Sequence, residues 1–342
     1  MKKRTTKGRK ILVRVDGTKN LGLGHIYNLL TILNHFRKDK ILIVMNAKKR
    51  LGNYKFKEHH YPLAFFKSKQ DLQKIIRKFK PDIIFNDILD TKSSYIKTQS
   101  KFNSFIVNFE DLGSGARHAN LVFNPIYSSK KIHSKNQFFG PTFACIRDEF
   151  RMLYSKKSHA KKNQILITFG GSDPRNLTKR LLKIFSEMKL KFRIIVIIGM
   201  AFSHVNQTEK FVEKMKKDGQ KIKIVKNSNL MAKHISESDF VITTNGRTVF
   251  EIASLNIPFI SISANSREKK HVFSQNSKGG IYLGLYSAIS DQKIRNAIIK
   301  MTDLRFQKKC IRNLKRYDLI NGVNRVVDKI NSEFEIWREK SN

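Results

Sequence analysis

The chain is predicted to fold as an α/β protein of two Rossmann-like halves, each a parallel sheet wrapped by helices, with a cleft between them. Three observations predict this. Short apolar runs alternate with helical patterns along the chain. The alternation restarts after a basic Ser/Lys-rich stretch, Ser155 to Asn163, that shows no periodicity and reads as a linker. At 342 residues the chain is long for one compact domain and comfortable for two. The expected halves are residues 8–154 and 163–338.

In the first half, Lys10 to Val15 is an aliphatic, β-branched run and reads as a strand. Ile26, Leu29, Leu30, Leu33 and Phe36 then recur at helical spacing. Lys40 to Met45 is a second strand. Asp71 to Phe79 reads as a helix before the apolar run Asp82 to Phe85, and Phe105 to Asn108 and Asn120 to Phe123 complete the sheet. In the second half the strands are Gln164 to Phe169, Phe192 to Ile198, Ile222 to Val225, Phe240 to Thr244 and Pro258 to Ile262. Helices are expected from Pro174, within Asn206 to Lys217, and from about Arg247 to Leu255. From about Ser290 the chain reads as helical; these helices are grouped with the second half, and they either extend it or cross back to the first. Val326, Val327, Ile330, Phe334 and Trp337 form one apolar stripe there, a pattern that means core packing more often than a partner site.

Composition narrows the class. The apolar fraction of 40% lets each half bury a core. Cys145 and Cys310 are too far apart in sequence to suggest a disulfide framework or a metal site. No apolar run approaches the roughly 20 residues that span a bilayer, and no signal-peptide pattern follows the basic residues Met1 to Lys10. A cytoplasmic protein is expected. The net charge of +41 admits a lysine-rich solvated surface, attraction to an anionic membrane face, or nucleic acid. The basic residues are scattered, and no RNA-binding signature accompanies them, so no specific nucleic-acid partner is expected.

Three strand-end loops carry the candidate chemistry. The first, Asp16-Gly17-Thr18-Lys19-Asn20-Leu21-Gly22-Leu23-Gly24-His25, joins the first strand to the first helix. Gly22 and Gly24 permit close backbone approach to a ligand. A histidine at a helix start has its charged form disfavoured, so His25 can serve as a neutral general base. The alternative is a histidine that caps or packs there. The second, Phe169-Gly170-Gly171-Ser172-Asp173-Pro174, can wrap a phosphate with backbone N–H groups and the Ser172 hydroxyl, or be a plain turn with Asp173 capping the helix. The third is Thr244-Asn245-Gly246-Arg247-Thr248-Val249-Phe250-Glu251. Here Thr248 and free N–H groups suit a diphosphate, Arg247 can pair with phosphate or lie exposed, and Glu251 can accept from ribose hydroxyls or be an ordinary first-turn carboxylate. Asp87 and Asp111 end strands where carboxylates hold sugar hydroxyls or cap loops, and Asn265 is a further cleft candidate. His59, His60, His118, His234 and His271 show no metal-site spacing.

These motifs, in this order, resemble the UDP-sugar hydrolase of pseudaminic acid biosynthesis and its spore-coat-polysaccharide relatives. The resemblance runs from Ile11 to about Tyr282. It includes Arg14-Val15-Asp16, Gly22-Leu23-Gly24-His25, Phe109-Glu110-Asp111-Leu112-Gly113, Ala119-Asn120-Leu121-Val122, Gly140-Pro141 and Cys145-Ile146-Arg147-Asp148-Glu149-Phe150, with the second and third loops. It implies a GT-B fold, no metal and no cofactor. It implies that His25 activates water against the anomeric carbon of a UDP-activated amino-deoxy sugar, with inversion and release of UDP, in nonulosonic acid or surface polysaccharide biosynthesis. A glycosyltransferase using the same donor is the alternative, and a non-catalytic polyanion binder a distant one. Three positions depart from the family pattern: Asn28 where an arginine is usual, Asn245 where a glycine is usual, and Arg247 where a small residue is usual. The form of Phe109 to Gly113 is closer to the spore-coat branch.

Overall fold

A computed structural model describes residues 8–18, 23–128, 135–154, 163–188 and 190–341. Gly22 and all but Asn163 of the expected linker lie outside the described residues. The chain divides into two compact units, Met1–Cys145 with Val323–Asn342, and Ile146–Gly322. Each is built on one all-parallel sheet.

The first sheet holds β1 (Lys10–Val15), β2 (Lys40–Asn46), β3 (Leu63–Phe66), β4 (Ile83–Asp87), β5 (Phe105–Phe109), β6 (Leu121–Asn124) and β7 (Gln137–Phe139). Their order is β3-β2-β1-β4-β5-β6-β7. β1, β4, β5 and β6 are buried on both faces, which is why they read as near-continuous apolar runs rather than alternating ones. β3 and β7 are short outer strands of 4 and 3 residues, too brief to show a period in sequence. On one face, Ile11, Val13 and Val15 pack with helix Gly24–Leu33; on the other, Leu12, Val44 and Ile84 pack with helix Lys69–Phe79. That second helix starts at a capping box, Ser68 with Asp71, and ends at Lys80 in the left-handed region.

The second sheet holds β8 (Gln164–Thr168), β9 (Arg193–Ile198), β10 (Ile222–Lys226), β11 (Phe240–Thr244), β12 (Phe259–Ser263) and β13 (Gly280–Leu285), in the order β10-β9-β8-β11-β12-β13. β13 has no apolar period because two glycines interrupt it. At Gly280 a Cβ would stand 2.0 Å from the Phe259 carbonyl oxygen, so only glycine lets β13 lie against β12 there.

Two expectations change. The helix expected from Pro174 begins at Leu177, because Asp173 and Asn176 adopt positive φ (38° and 50°) and interrupt the helical path. The final helix, Gly322–Ser341, is grouped with the second half by sequence order but packs into the first unit, the crossing-back alternative. Val323, Val326, Val327, Ile330 and Phe334 are buried in the core beneath β1 and β5. Trp337 stands 5.8 Å from the Phe105 ring, and Arg9 donates to Asn331 at 2.7 Å while stacking over Phe36 and Phe334. The stripe is therefore core, and its apolar face completes a sheet whose last strand ends at Phe139, far upstream in the sequence.

Candidate active site

In a doubly wound sheet the strand order reverses at one point, and ligands bind beyond the carboxyl ends of the strands there. In the first unit β1 lies between β2 and β4, so the reversal falls at the ends of β1 and β4. Asp87 is the last residue of β4, and His25 is the second residue of the helix that follows β1. The two meet. His25 Nδ1 and Asp87 Oδ1 form a short hydrogen bond, and Asn28, one turn along the same helix, donates Nδ2 to Asp87 Oδ2 at 2.9 Å. All three side chains are buried. Sequence reasoning expected the helix dipole to govern this histidine; the structure sets a carboxylate against it. Asp87, a candidate for sugar hydroxyls or for capping a loop, holds the imidazole. Asn28 also acquires a role: it steadies the carboxylate oxygen that His25 does not use.

Asp16 is likewise committed within the protein. Arg14 grips it with two bonds of 2.7 and 2.8 Å, and the Asn46 N–H and Lys49 ammonium approach at 3.3 and 3.7 Å. This buried fork ties the end of β1 to the end of β2. Asp111 accepts from Thr91 N–H (2.9 Å), Thr91 Oγ1 (2.6 Å), Asn108 Nδ2 (2.6 Å) and Gly113 N–H (2.8 Å). Its oxygens accept four hydrogen bonds from the protein, so Asp111 braces the loop after β5, the loop-capping alternative. Beside it, Asn86, Gln99 and Asn108 form a buried amide network, with Asn86 donating to Gln99 at 2.8 Å and to Asn108 at 2.9 Å. Sequence reasoning missed this network. The signal was present, since the buried runs of β4, β5 and β6 each carry an asparagine near the carboxyl end: Asn86, Asn108 and Asn124.

In the second unit β8 lies between β9 and β11, which puts the reversal at the Gly170 and Gly246 turns. Gly170 adopts φ +75°, a conformation that favours glycine. Gly171 is crowded by the turn after β9, where a Cβ on Gly199 would lie 2.4 Å from the Gly171 Cα. Ser172 is buried. Asp173 receives the N–H groups of Leu177 (2.9 Å) and Thr178 (2.8 Å), which is the capping alternative. Burial pushes its carboxyl above the ordinary value, while those N–H bonds oppose the shift.

The third loop is stitched from behind. Asn245 donates Nδ2 to the carbonyls of Glu268 (2.8 Å) and His271 (3.0 Å), accepts from Ser274 Oγ (2.5 Å), and its own carbonyl accepts from His271 Nδ1 (2.6 Å). Asparagine in place of glycine thus supplies a buried anchor for the segment after β12. Gly246 and Arg247 precede helix Thr248–Ser254, whose first residue is Thr248. Glu251 is paired through Oε1 with Arg147 Nε at 2.6 Å, and Arg147 also meets Glu149 at 2.7 Å. Burial raises the Glu149 carboxyl; the Arg147 charge works against that rise. Asn265 Oδ1 accepts the Glu268 N–H at 2.9 Å, at the start of the short turn Glu268–Lys270. Among the described residues no cluster of His, Cys, Asp and Glu could hold a metal ion, and no helix is long and apolar enough to cross a membrane.

Two all-parallel Rossmann-like units, each with its strand order reversing at one point, make a GT-B fold. The model of the glycosyltransferase family 28 C-terminal domain matches residues 165–330. The chain is 30% identical over 277 residues to the uncharacterized protein MJ1062 of Methanocaldococcus jannaschii, covering 76% of this chain and 57% of that protein. It thus spans little more than half of that relative's length. Identity to the spore coat polysaccharide biosynthesis protein SpsG of Bacillus subtilis is 22% over 298 residues, covering 82% of this chain and 85% of that one. Identity to the UDP-2,4-diacetamido-2,4,6-trideoxy-beta-L-altropyranose hydrolase of Campylobacter jejuni is 26% over 268 residues, covering 74% and 91%. Among solved structures, MurG of Acinetobacter baumannii superposes with a TM-score of 0.70 at 13% identity, covering 95% of this chain and 99% of that one.

Proposed function

We propose that the protein cleaves a UDP-activated amino-deoxy sugar with water, releasing UDP, and that His25 is the general base. The observation that carries this reading is the buried contact of His25 with Asp87 at the strand-order reversal of the first sheet. An Nδ1–H given to Asp87 leaves the lone pair on Nε2, the nitrogen that takes a proton. Water attacks the anomeric carbon as His25 removes its proton. The bond from that carbon to the β-phosphate oxygen breaks, and its electron pair leaves with UDP. The carboxylate of Asp87 stabilises the imidazolium that results, as the acid of a hydrolytic triad does. In the second unit the Gly170-Gly171-Ser172 turn and the Gly246 to Thr248 turn take the diphosphate, and Glu251 Oε2 accepts from a ribose hydroxyl. The similarity to a named UDP-sugar hydrolase supports the substrate class, and the similarity to SpsG supports a place in surface polysaccharide synthesis.

The match to a glycosyltransferase domain favours a second reading on the same residues, in which His25 deprotonates an acceptor hydroxyl. One assay orders the two. The protein is incubated with a panel of UDP-sugars without acceptor, and UDP release is followed. Release that is lost in His25→Asn supports the hydrolase. Release only after an acceptor is added supports the transferase. No binding of any UDP-sugar, with salt-dependent binding of RNA instead, overturns both.

A further inference from the structure

The segment after β12 brings a carboxyl to the Gly246 turn. Glu268 Oε2 accepts the Ala264 N–H at 2.8 Å, which fixes the side chain against the end of β12. Glu268 Oε1 lies 3.7 Å from where a Cβ on Gly246 would stand. The backbone around it is not free to move aside, because Asn245 binds the Glu268 and His271 carbonyls and Asn265 Oδ1 accepts the Glu268 N–H. No ion pair to Glu268 is formed among the described residues, although cations lie close to it in the chain. Arg267, Lys269 and Lys270 flank it in sequence, Arg247 follows the turn, and Arg175 reaches the same segment through the Ala264 carbonyl at 3.4 Å. His271, on its far side, donates Nδ1 to the Asn245 carbonyl at 2.6 Å. A charged carboxylate at this spot repels an anion held at the turn. A neutral one turns from acceptor to donor.

We propose that Glu268 is a substrate-positioning residue whose neutral carboxyl donates a hydrogen bond to a phosphate oxygen of a nucleoside diphosphate bound at the Gly246 turn. The inference rests on the nucleotide reading above. Burial supports it by pushing the Glu268 carboxyl up to about 7, against the pull of the Ala264 and Asn245 backbone N–H groups. A buried, neutral acid used as a donor to developing or fixed negative charge has precedent in enzyme sites. The sign follows directly. A bound diphosphate favours the protonated carboxyl, so binding takes up a proton near and above neutrality, and affinity falls as pH rises through about 7.

The test is calorimetric titration of the full chain with UDP at pH 6 and pH 8, in buffers of different ionisation enthalpy, alongside Glu268→Gln. The UDP terminal phosphate, ionising near 6, contributes equally to both proteins and cancels in their difference. The wild type is expected to bind UDP about fivefold more tightly at pH 6 than the variant's own pH dependence accounts for, and to take up protons at pH 8. Glu268→Gln, a permanent neutral donor, is expected to lose that excess while keeping the pH 6 affinity. Equal pH dependence in both proteins overturns the role of Glu268 and leaves the nucleotide reading standing. No UDP binding by the wild type at either pH overturns both. If the variant fails to fold, the wild-type measurement decides by itself: uptake at pH 8, where UDP is already fully ionised, supports the proposal, and its absence overturns it.

Discussion

Asp87→Asn is expected to lower the rate of UDP release about 10⁴-fold with nucleotide affinity unchanged. The cause is the tautomer. A carboxylate at 87 accepts the Nδ1 proton of His25, and Asn28 holds its other oxygen at 2.9 Å. An amide there can donate to Nδ1, which moves the imidazole proton to Nε2 and removes the base. His25→Asn removes the base outright and is expected to cost roughly 10²–10⁴ in rate. The two losses should not add, since both disable one unit. Single-turnover UDP release, with UDP affinity measured separately, checks this. Affinity that falls as far as the rate would make the cluster a structural element and sink the catalytic reading. Asn28→Ala leaves the Asp87 carboxylate in place but unsteadied, so it should cost less than either change.

The second large effect is on stability. Phe334→Ala is expected to destabilise the first unit by roughly 3–5 kcal/mol, because it empties a fully packed site. Phe334 is 2% exposed and meets Phe105 edge-on at 5.8 Å and Trp337 at 5.9 Å. Thermal unfolding should fall by on the order of 10 °C. The exposed Ile336→Ala, two residues along the same helix, should change little. Equal melting of the two variants would mean that this helix does not complete the first unit's core.

The parts of this fold that sequence made legible are those in which residues close in the chain carry the signal. Central strands buried on both faces show as unbroken aliphatic runs, and helices against them show a 3.6-residue stripe; these runs locate β1, β8 and β11 closely. The short outer strands β3 and β7 carried too few residues to show a period. The stripe on Gly322–Ser341 was visible, but not the sheet it covers, since a stripe records that a face is buried and not which surface buries it.

The same division runs through the site. The sequence by itself determined the polar, glycine-rich turns at strand ends, placed His25 at a helix start and pointed to nucleotide-sugar chemistry. Only the tertiary structure decided which carboxylate serves which group. Asp16 goes to Arg14, Asp111 to the Thr91 loop, Asp87 to His25, and Glu268, which no sequence motif singled out, turns to Gly246. A carboxylate can cap a loop, pair with a cation or orient a base. Which it does depends on what lies within about 3 Å of its oxygens. In a parallel sheet those neighbours arrive from strands separated by whole crossover connections, such as His25 and Asp87, 62 residues apart.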